Sequence, residues 1–178
     1  MADFQRLRRW SRLLHIVTCL GMIGLAVGFA FVCVVAPPTA EAMQLEYPDI
    51  DVAPVLSTGI VRGMLAVTAA AIVVWLYILN HMRLLFRCFA SGHVLTDVVA
   101  RHIRRVGWGL LGLSVLQVLL VPITSLLLTW DNPEGQHSVS IALNSDMIGF
   151  ALAAGLMIVI GWAMREAAAV RAENQAFV

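Results

Sequence analysis

The chain has 178 residues, 60% of them hydrophobic and 13% charged, with a formal net charge of +1 and a mean hydropathy of +0.85. Soluble domains carry roughly 25% charged residues, so this composition excludes an ordinary water-soluble domain and points to a bilayer. Lipid offers no partner for free backbone groups, so a chain crosses about 30 Å of hydrocarbon as helices of about 20 apolar residues.

Four stretches meet that requirement, at about 13–36, 59–82, 107–130 and 147–164. The expected fold is all-α, a polytopic four-transmembrane-helix bundle forming one membrane domain. All 12 basic residues are Arg, and 11 lie in the N-terminus, the central segment 83–106 or the tail 165–178; Arg62 is the exception. Seven of the 11 acids lie in the two other connections, 37–58 and 131–146. The positive-inside rule then predicts that both termini and the central loop are cytoplasmic and that the acidic loops face outward.

The Arg-rich start and the Ala40-Glu41-Ala42 tripeptide resemble a signal peptide, but the apolar run has 24 residues where a signal core has about 7–15. It is read as a retained helix, anchored at its inner end by Trp10 and four Arg. Gly24 and Gly28, with Gly21 a turn earlier, predict close packing on another helix of the chain, with homodimerisation as the alternative use. Pro37-Pro38 ends the helix by removing two backbone donors. The outer loop that follows has four prolines, four acids and no base, and is too short for a folded domain. Ser57 or Thr58 is expected to cap the second span, where Gly59 and Gly63 form another small-residue pair. Arg62 in its first turn is expected to pair with Asp131 or Asp146.

The second helix is predicted to project through Phe89 and break at Gly92. Thr96 then has the chemistry of an N-cap, and Asp97 stands four residues before Arg101 in the stabilising order. Val98, Val99, His102, Ile103 and Val106 form an apolar stripe opposite Arg101, Arg104 and Arg105, giving a basic amphipathic helix that runs into the third span. Gly107, Gly109 and Gly112 offer sites for bending or tight packing. Within that span, Gln117 is expected to make an interhelical hydrogen bond, and Pro122 is tolerated where neighbours satisfy the freed carbonyl. The alternation from Ser138 to Leu143 predicts a short strand over the outer face. Ser145 or Asp146 is expected to cap the fourth span, with Gly149, Ala153 and Gly155 packing it and Trp162 marking its inner end. The tail is expected to continue as an exposed helix.

Phe89, Gly92, Leu95-Thr96, Ile103-Arg104, Val106-Gly107 and the terminal Glu173-Asn174 together resemble the bacterial membrane proteins grouped as domain of unknown function two-nine-seven-five. The resemblance covers about residues 60–178. Two departures stand out: Val99 where the family often has Asn, and Gln175-Ala176-Phe177-Val178 where it usually closes on Glu-Leu-Thr-Val. Such proteins are often encoded beside a small helix-turn-helix regulator, which implies a membrane partner for a DNA-binding protein.

The chemistry-bearing residues are few. His15 and His81 fall at the inner ends of helices and are the candidate axial pair for a b-type haem, the alternative reading of the chain as a small cytochrome. Cys88, His93 and His102 make an incomplete zinc set. The three cysteines, Cys19, Cys33 and Cys88, are expected to be buried thiols. No paired intramembrane carboxylates, nucleophile with a base, or phosphate loop appears, so no enzyme, cofactor or metal is expected. Arg87, Arg101, Arg104 and Arg105 are the candidate contacts to anionic lipid or to a cytoplasmic partner, with no room for direct nucleic-acid binding. The expected function is a sensor, anchor or regulatory accessory subunit of a bacterial inner membrane. A component of a larger transporter or membrane enzyme complex is a further alternative.

Overall fold

The computed structural model describes residues 2–176 except 49, 51, 54, 93, 95 and 133–143, and omits the side chains of 2–4 and 174–176. Five helices follow one another: α1 (Ala2–Val34), α2 (Ala40–Glu46), α3 (Thr58–Ala90), α4 (Asp97–Thr129) and α5 (Ser145–Ala176). Four of them are long and apolar enough to cross a membrane. The protein is therefore an all-helical, multi-pass membrane protein. Each long helix has 32 or 33 residues, or about 50 Å at 1.5 Å per residue, well beyond a hydrocarbon core of about 30 Å. The surplus lies mostly at the arginine-rich end, where α3, α4 and α5 run past the apolar stretches.

The helix ends follow from the residues at them. α1 stops at Val34, just before Pro37-Pro38. Between α3 and α4 the chain turns at Gly92, which has a φ of 87°, in the left-handed region that only glycine enters at little cost. A Cβ there would sit 2.7 Å from an Arg8 guanidinium nitrogen, the end of a flexible side chain that must swing aside. Thr96 caps α4 by accepting the Val99 N–H at 3.4 Å. Ser57 precedes α3 without a side-chain cap. α5 begins at Ser145, so neither Ser145 nor Asp146 is its cap; Asn144 stands before it, and its carbonyl accepts the Met147 N–H at 3.0 Å.

The outer loop is more ordered than its length implied. Thr39 caps α2 by accepting the Ala42 N–H at 3.3 Å. Gln44 clamps the chain after it, donating to the Ile50 carbonyl at 3.0 Å and accepting the Val52 N–H at 3.1 Å. The Ala53 N–H then reaches the Leu128 carbonyl at 3.1 Å, and Ser57 N–H reaches the Asp131 carboxylate at 3.1 Å. Ile50, Ile60, Met64 and Leu128 form the small core beneath, with Met43 and Tyr47 against it. Asp131 is thus engaged by the Ser57 backbone, and Arg62 is exposed, with no ion pair among the described residues. The expected pairing of Arg62 is not formed.

Close helix packing among the described residues follows chain order: α1 on α3, α3 on α4, and α4 on α5. α1 presents Ser11, His15, Thr18, Met22, Leu25 and Phe29 to α3, a strict three-and-four spacing of the kind that lets two helices wrap with a left-handed twist. Its Gly21, Gly24 and Gly28 look into open space, so they do not pack on the rest of the chain as expected. α4 is gripped on two sides. A Cβ on Gly107 would lie 2.8 Å from Ile158 Cγ1 and 3.0 Å from the Ala154 carbonyl oxygen, and one on Gly109 would lie 2.6 Å from Ile78 Cγ1. In return Gly161 of α5 receives the Arg104 stem and the Ala100 carbonyl, 3.1 Å from where its Cβ would be. Gly149 and Gly155, expected to pack α5, face open space, and the buried residues of that helix are instead Met147, Ala154, Ile158 and Gly161.

These contacts fix the register of α5. Ser114 Oγ donates to the Met147 carbonyl at 2.8 Å, and the Phe150 ring meets the Trp75 ring edge-on at 6.0 Å. The first turn of α5 therefore lies beside Ser114 and Gln117. From Gln117 to the end of α4 at Thr129 is 12 residues, about 18 Å. α5 starts deep between its neighbours and extends correspondingly further at the arginine end.

Candidate functional site

Two regions gather polar chemistry, one at each end. At the arginine end, Asp97 forms an ion pair with Arg101, and Arg165 Nε approaches the same carboxylate at 3.8 Å. Arg104 is half-buried, its stem laid across Gly161, while Arg105 and Arg87 are exposed. The four candidate arginines thus separate: one neutralised, one built into the α4–α5 seam and two open. Arg87 adjoins Arg12 and His15 around a hollow of about 220 Å³ between α1 and α3. The apolar stripe of α4 is Val99, Ala100, Ile103 and Val106; Val98, assigned to it from the sequence, is exposed and Ala100 takes its place.

The histidines are arranged differently from the expected haem pair. His15 Nδ1 is 3.1 Å from the Arg83 carbonyl oxygen, an acceptor only, so that ring nitrogen carries the proton and donates. His81 is buried and its Nδ1 lies 3.2 Å from His102 Nδ1, with the Tyr77 ring edge-on at 4.6 Å. One of these two nitrogens donates and the other accepts, so a single proton lies between them. Each of the two rings proposed to face one another is held by a different residue. Arg83 Nη2 donates to Asn80 at 3.1 Å, and its Nε is buried without a partner among the described residues. Of the incomplete zinc set, His93 lies outside the described residues, and no group of three or more metal-ligating side chains occurs among them. Nor are the cysteines buried: Cys33 is exposed and Cys19 and Cys88 are half-buried. The strand expected at 138–143, Leu95, and the closing Phe177-Val178 also lie outside the described residues.

At the acidic end the structure contains a partly open cavity in two adjoining chambers that share lining residues. The outer one, about 630 Å³, lies between the end of α1, α2 and α3, walled largely by Val, Pro, Met and Leu, with Glu46 at its rim. The inner one, about 340 Å³, lies between α3, α4 and the first turn of α5, where Gln117, Asn144 and Asp146 converge. Tyr47, Thr68 and Thr124 line both. Burial, followed by the charge of Glu46, pushes the Tyr47 phenol above its ordinary value. Gln117 was expected to bond another helix, but among the described residues its amide has no hydrogen-bond partner and opens into the cavity. Asp146, read from the sequence as part of a polar connection, sits beside it at the depth set by the Ser114–Met147 bond. Asp146 is exposed there, and nothing in the sequence marked this placement, because helix length reveals a span and not its offset.

No curated protein and no solved structure gives a significant match to the chain. The family model described as "Protein of unknown function (DUF2975)" matches residues 38–178, which include α2 to α5, the Gly92 turn and the whole of the two-chambered cavity except its α1 wall. The chain belongs to that family.

Proposed function

We propose that this chain is a non-enzymatic regulatory subunit of a bacterial cytoplasmic membrane, with both termini inside, that docks an acidic cytoplasmic partner on its arginine end. The observation that carries the reading is the reach of that end. Trp10, Trp108 and Trp162 are exposed near it and mark the level of the headgroups, where Trp is enriched. Asp97, the start of α4, is 11 residues beyond Trp108, about 16 Å further out. α5 continues 14 residues beyond Trp162 to Ala176, about 21 Å. Attraction to anionic lipid fades within a Debye length of about 8–10 Å, so Arg101 and Arg171, about 10 and 14 Å past the Trp level, stand where a protein partner profits more than a lipid does, while Arg105 lies closer in. Asp97 neutralises only part of this charge. A small helix-turn-helix regulator is the partner class implied by the family resemblance.

Arg101, Arg104 and Arg105 changed together to Gln should release a partner that co-purifies with the native membrane protein in mild detergent. Arg62→Gln, at the other end, should not. Equal retention by both variants refutes the docking role. Impermeant thiol labelling of single cysteines placed at position 105 and at position 45 tests the orientation: position 45 alone should react from outside.

A further inference from the structure

The two-chambered cavity lies at the opposite end of the molecule from the arginines. We propose that it is a binding site for a lipophilic organic cation, whose charge sits beside Asp146 in the inner chamber and whose apolar body fills the outer one. Adjoining chambers of about 630 and 340 Å³ that share Tyr47, Thr68 and Thr124 in their walls fall in the range of small-molecule sites, which are mostly apolar with a few convergent polar groups. The polarity is graded. The outer chamber is walled by aliphatic side chains, while the inner one brings together the Asp146 carboxylate, the free Gln117 amide and Asn144.

The sign of the charge sets the ligand class. No Arg or His lines either chamber among the described residues, whereas Glu46 and Asp146 both do, and neither has an ion-pair partner among them. A carboxylate at membrane depth is costly unless a counter-charge meets it. An anionic headgroup would add repulsion. A bare metal ion finds no set of three ligating side chains among the described residues, and the large apolar chamber would be unused. An organic cation satisfies both parts, and Tyr47 at the junction offers an aromatic face to it. Access is through the membrane. α1 and α5 make no close packing contact among the described residues, which leaves the space between them open. A membrane-dissolved molecule enters between those two helices beneath the α2 loop.

The test uses the full chain in a neutral maltoside detergent, dialysed to equilibrium against tetraphenylphosphonium and, separately, against tetraphenylborate, an anion of the same shape. The parent should show one saturable phosphonium site per chain and no saturable borate site. Asp146→Asn, which keeps the side-chain shape, should weaken phosphonium binding by about tenfold or more, a change of about 1.4 kcal/mol or above. Ala71→Phe fills the inner chamber and should abolish it; Thr68→Leu, which only narrows the junction, replaces it where the larger side chain prevents folding. Glu41→Gln, on α2 outside the cavity lining, should bind as the parent does. Equal saturable uptake of the borate, or Asp146→Asn binding phosphonium as tightly as the parent, overturns the proposal. Neither outcome bears on the arginine end, so the two proposals fail separately.

Discussion

Replacing Gly107 with Ala adds one methyl group where the backbones of α4 and α5 approach each other closely. Its Cβ would lie 2.8 Å from Ile158 Cγ1, 3.0 Å from the Ala154 carbonyl oxygen and 3.0 Å from the Ile158 nitrogen. A side chain can rotate away, but two of those three atoms are backbone, so α4 and α5 must move apart. Overpacking of this kind costs about 1–3 kcal/mol, set against a gain of up to about 1 kcal/mol from the better helix propensity of Ala. The expected net loss is up to about 2 kcal/mol, or up to roughly 8 °C in Tm for a chain of this size. Gly112 on the same helix is the internal control, since a Cβ there meets nothing within 4 Å; Gly112→Ala should leave Tm unchanged or raise it. Thermal unfolding of both variants in one detergent decides the matter. Adding Ile158→Ala to Gly107→Ala should not restore stability, because the backbone contacts remain. If Gly107→Ala proves as stable as Gly112→Ala, the register of α5 on α4 is wrong, and with it the depth of Asp146.

Gly92→Ala should cost about 1–2 kcal/mol, the left-handed penalty for an L-residue, while Gly92→Asn should recover part of it; Tm separates the two. In a Tyr77→Phe background, the Tyr47 phenol should titrate above its ordinary value of about 10, read by tyrosinate absorbance, and Glu46→Gln should lower it because one of the two causes is removed. Since the folded state favours the neutral phenol, this contribution to stability is complete below the ordinary value and is lost as pH rises past the folded one. A titration unmoved by Glu46→Gln would show that the two groups do not face each other. His81→Ala and His102→Ala should show a coupling of about 0.5–1.5 kcal/mol in a double-mutant cycle, the net worth of one hydrogen bond; strict additivity would mean that the rings share no proton.

The spans, the break at Gly92 and the cap at Thr96 were legible because each is a local property of a few residues: hydrophobic length, a left-handed φ, a side-chain oxygen before a helix. What the sequence hid was relation between helices. Gly24 and Gly28 carry the familiar small-residue spacing yet face open space, as does Gly112, whereas Gly107, expected like Gly112 to bend the helix or pack tightly, and Gly161, marked by no such spacing, meet the facing backbone. Spacing shows that a helix can be approached, and only the neighbour decides where. The same applies to the inner chamber. Asn144, Ser145 and Asp146 look like the chemistry of a helix cap at a membrane surface, and their depth emerges only when Ser114 meets Met147. α2 was locally readable, since Thr39 precedes a run of good helix formers, but its four neighbouring prolines and acids drew the segment towards a loop.

The serial packing of the long helices has a consequence for how the molecule is made. α3 closes on α1, α4 on α3, and α5 on α4, so each long helix after α1 finds a close partner already in the membrane when it leaves the ribosome. Contacts between successive elements need little loop closure and form quickly. Each later helix then covers a second side of the one before it, as α5 does for α4 at Gly107. A nascent chain stopped after α4 should therefore already hold α1, α3 and α4 in their final arrangement, leaving the inner chamber without its α5 wall until the last helix arrives.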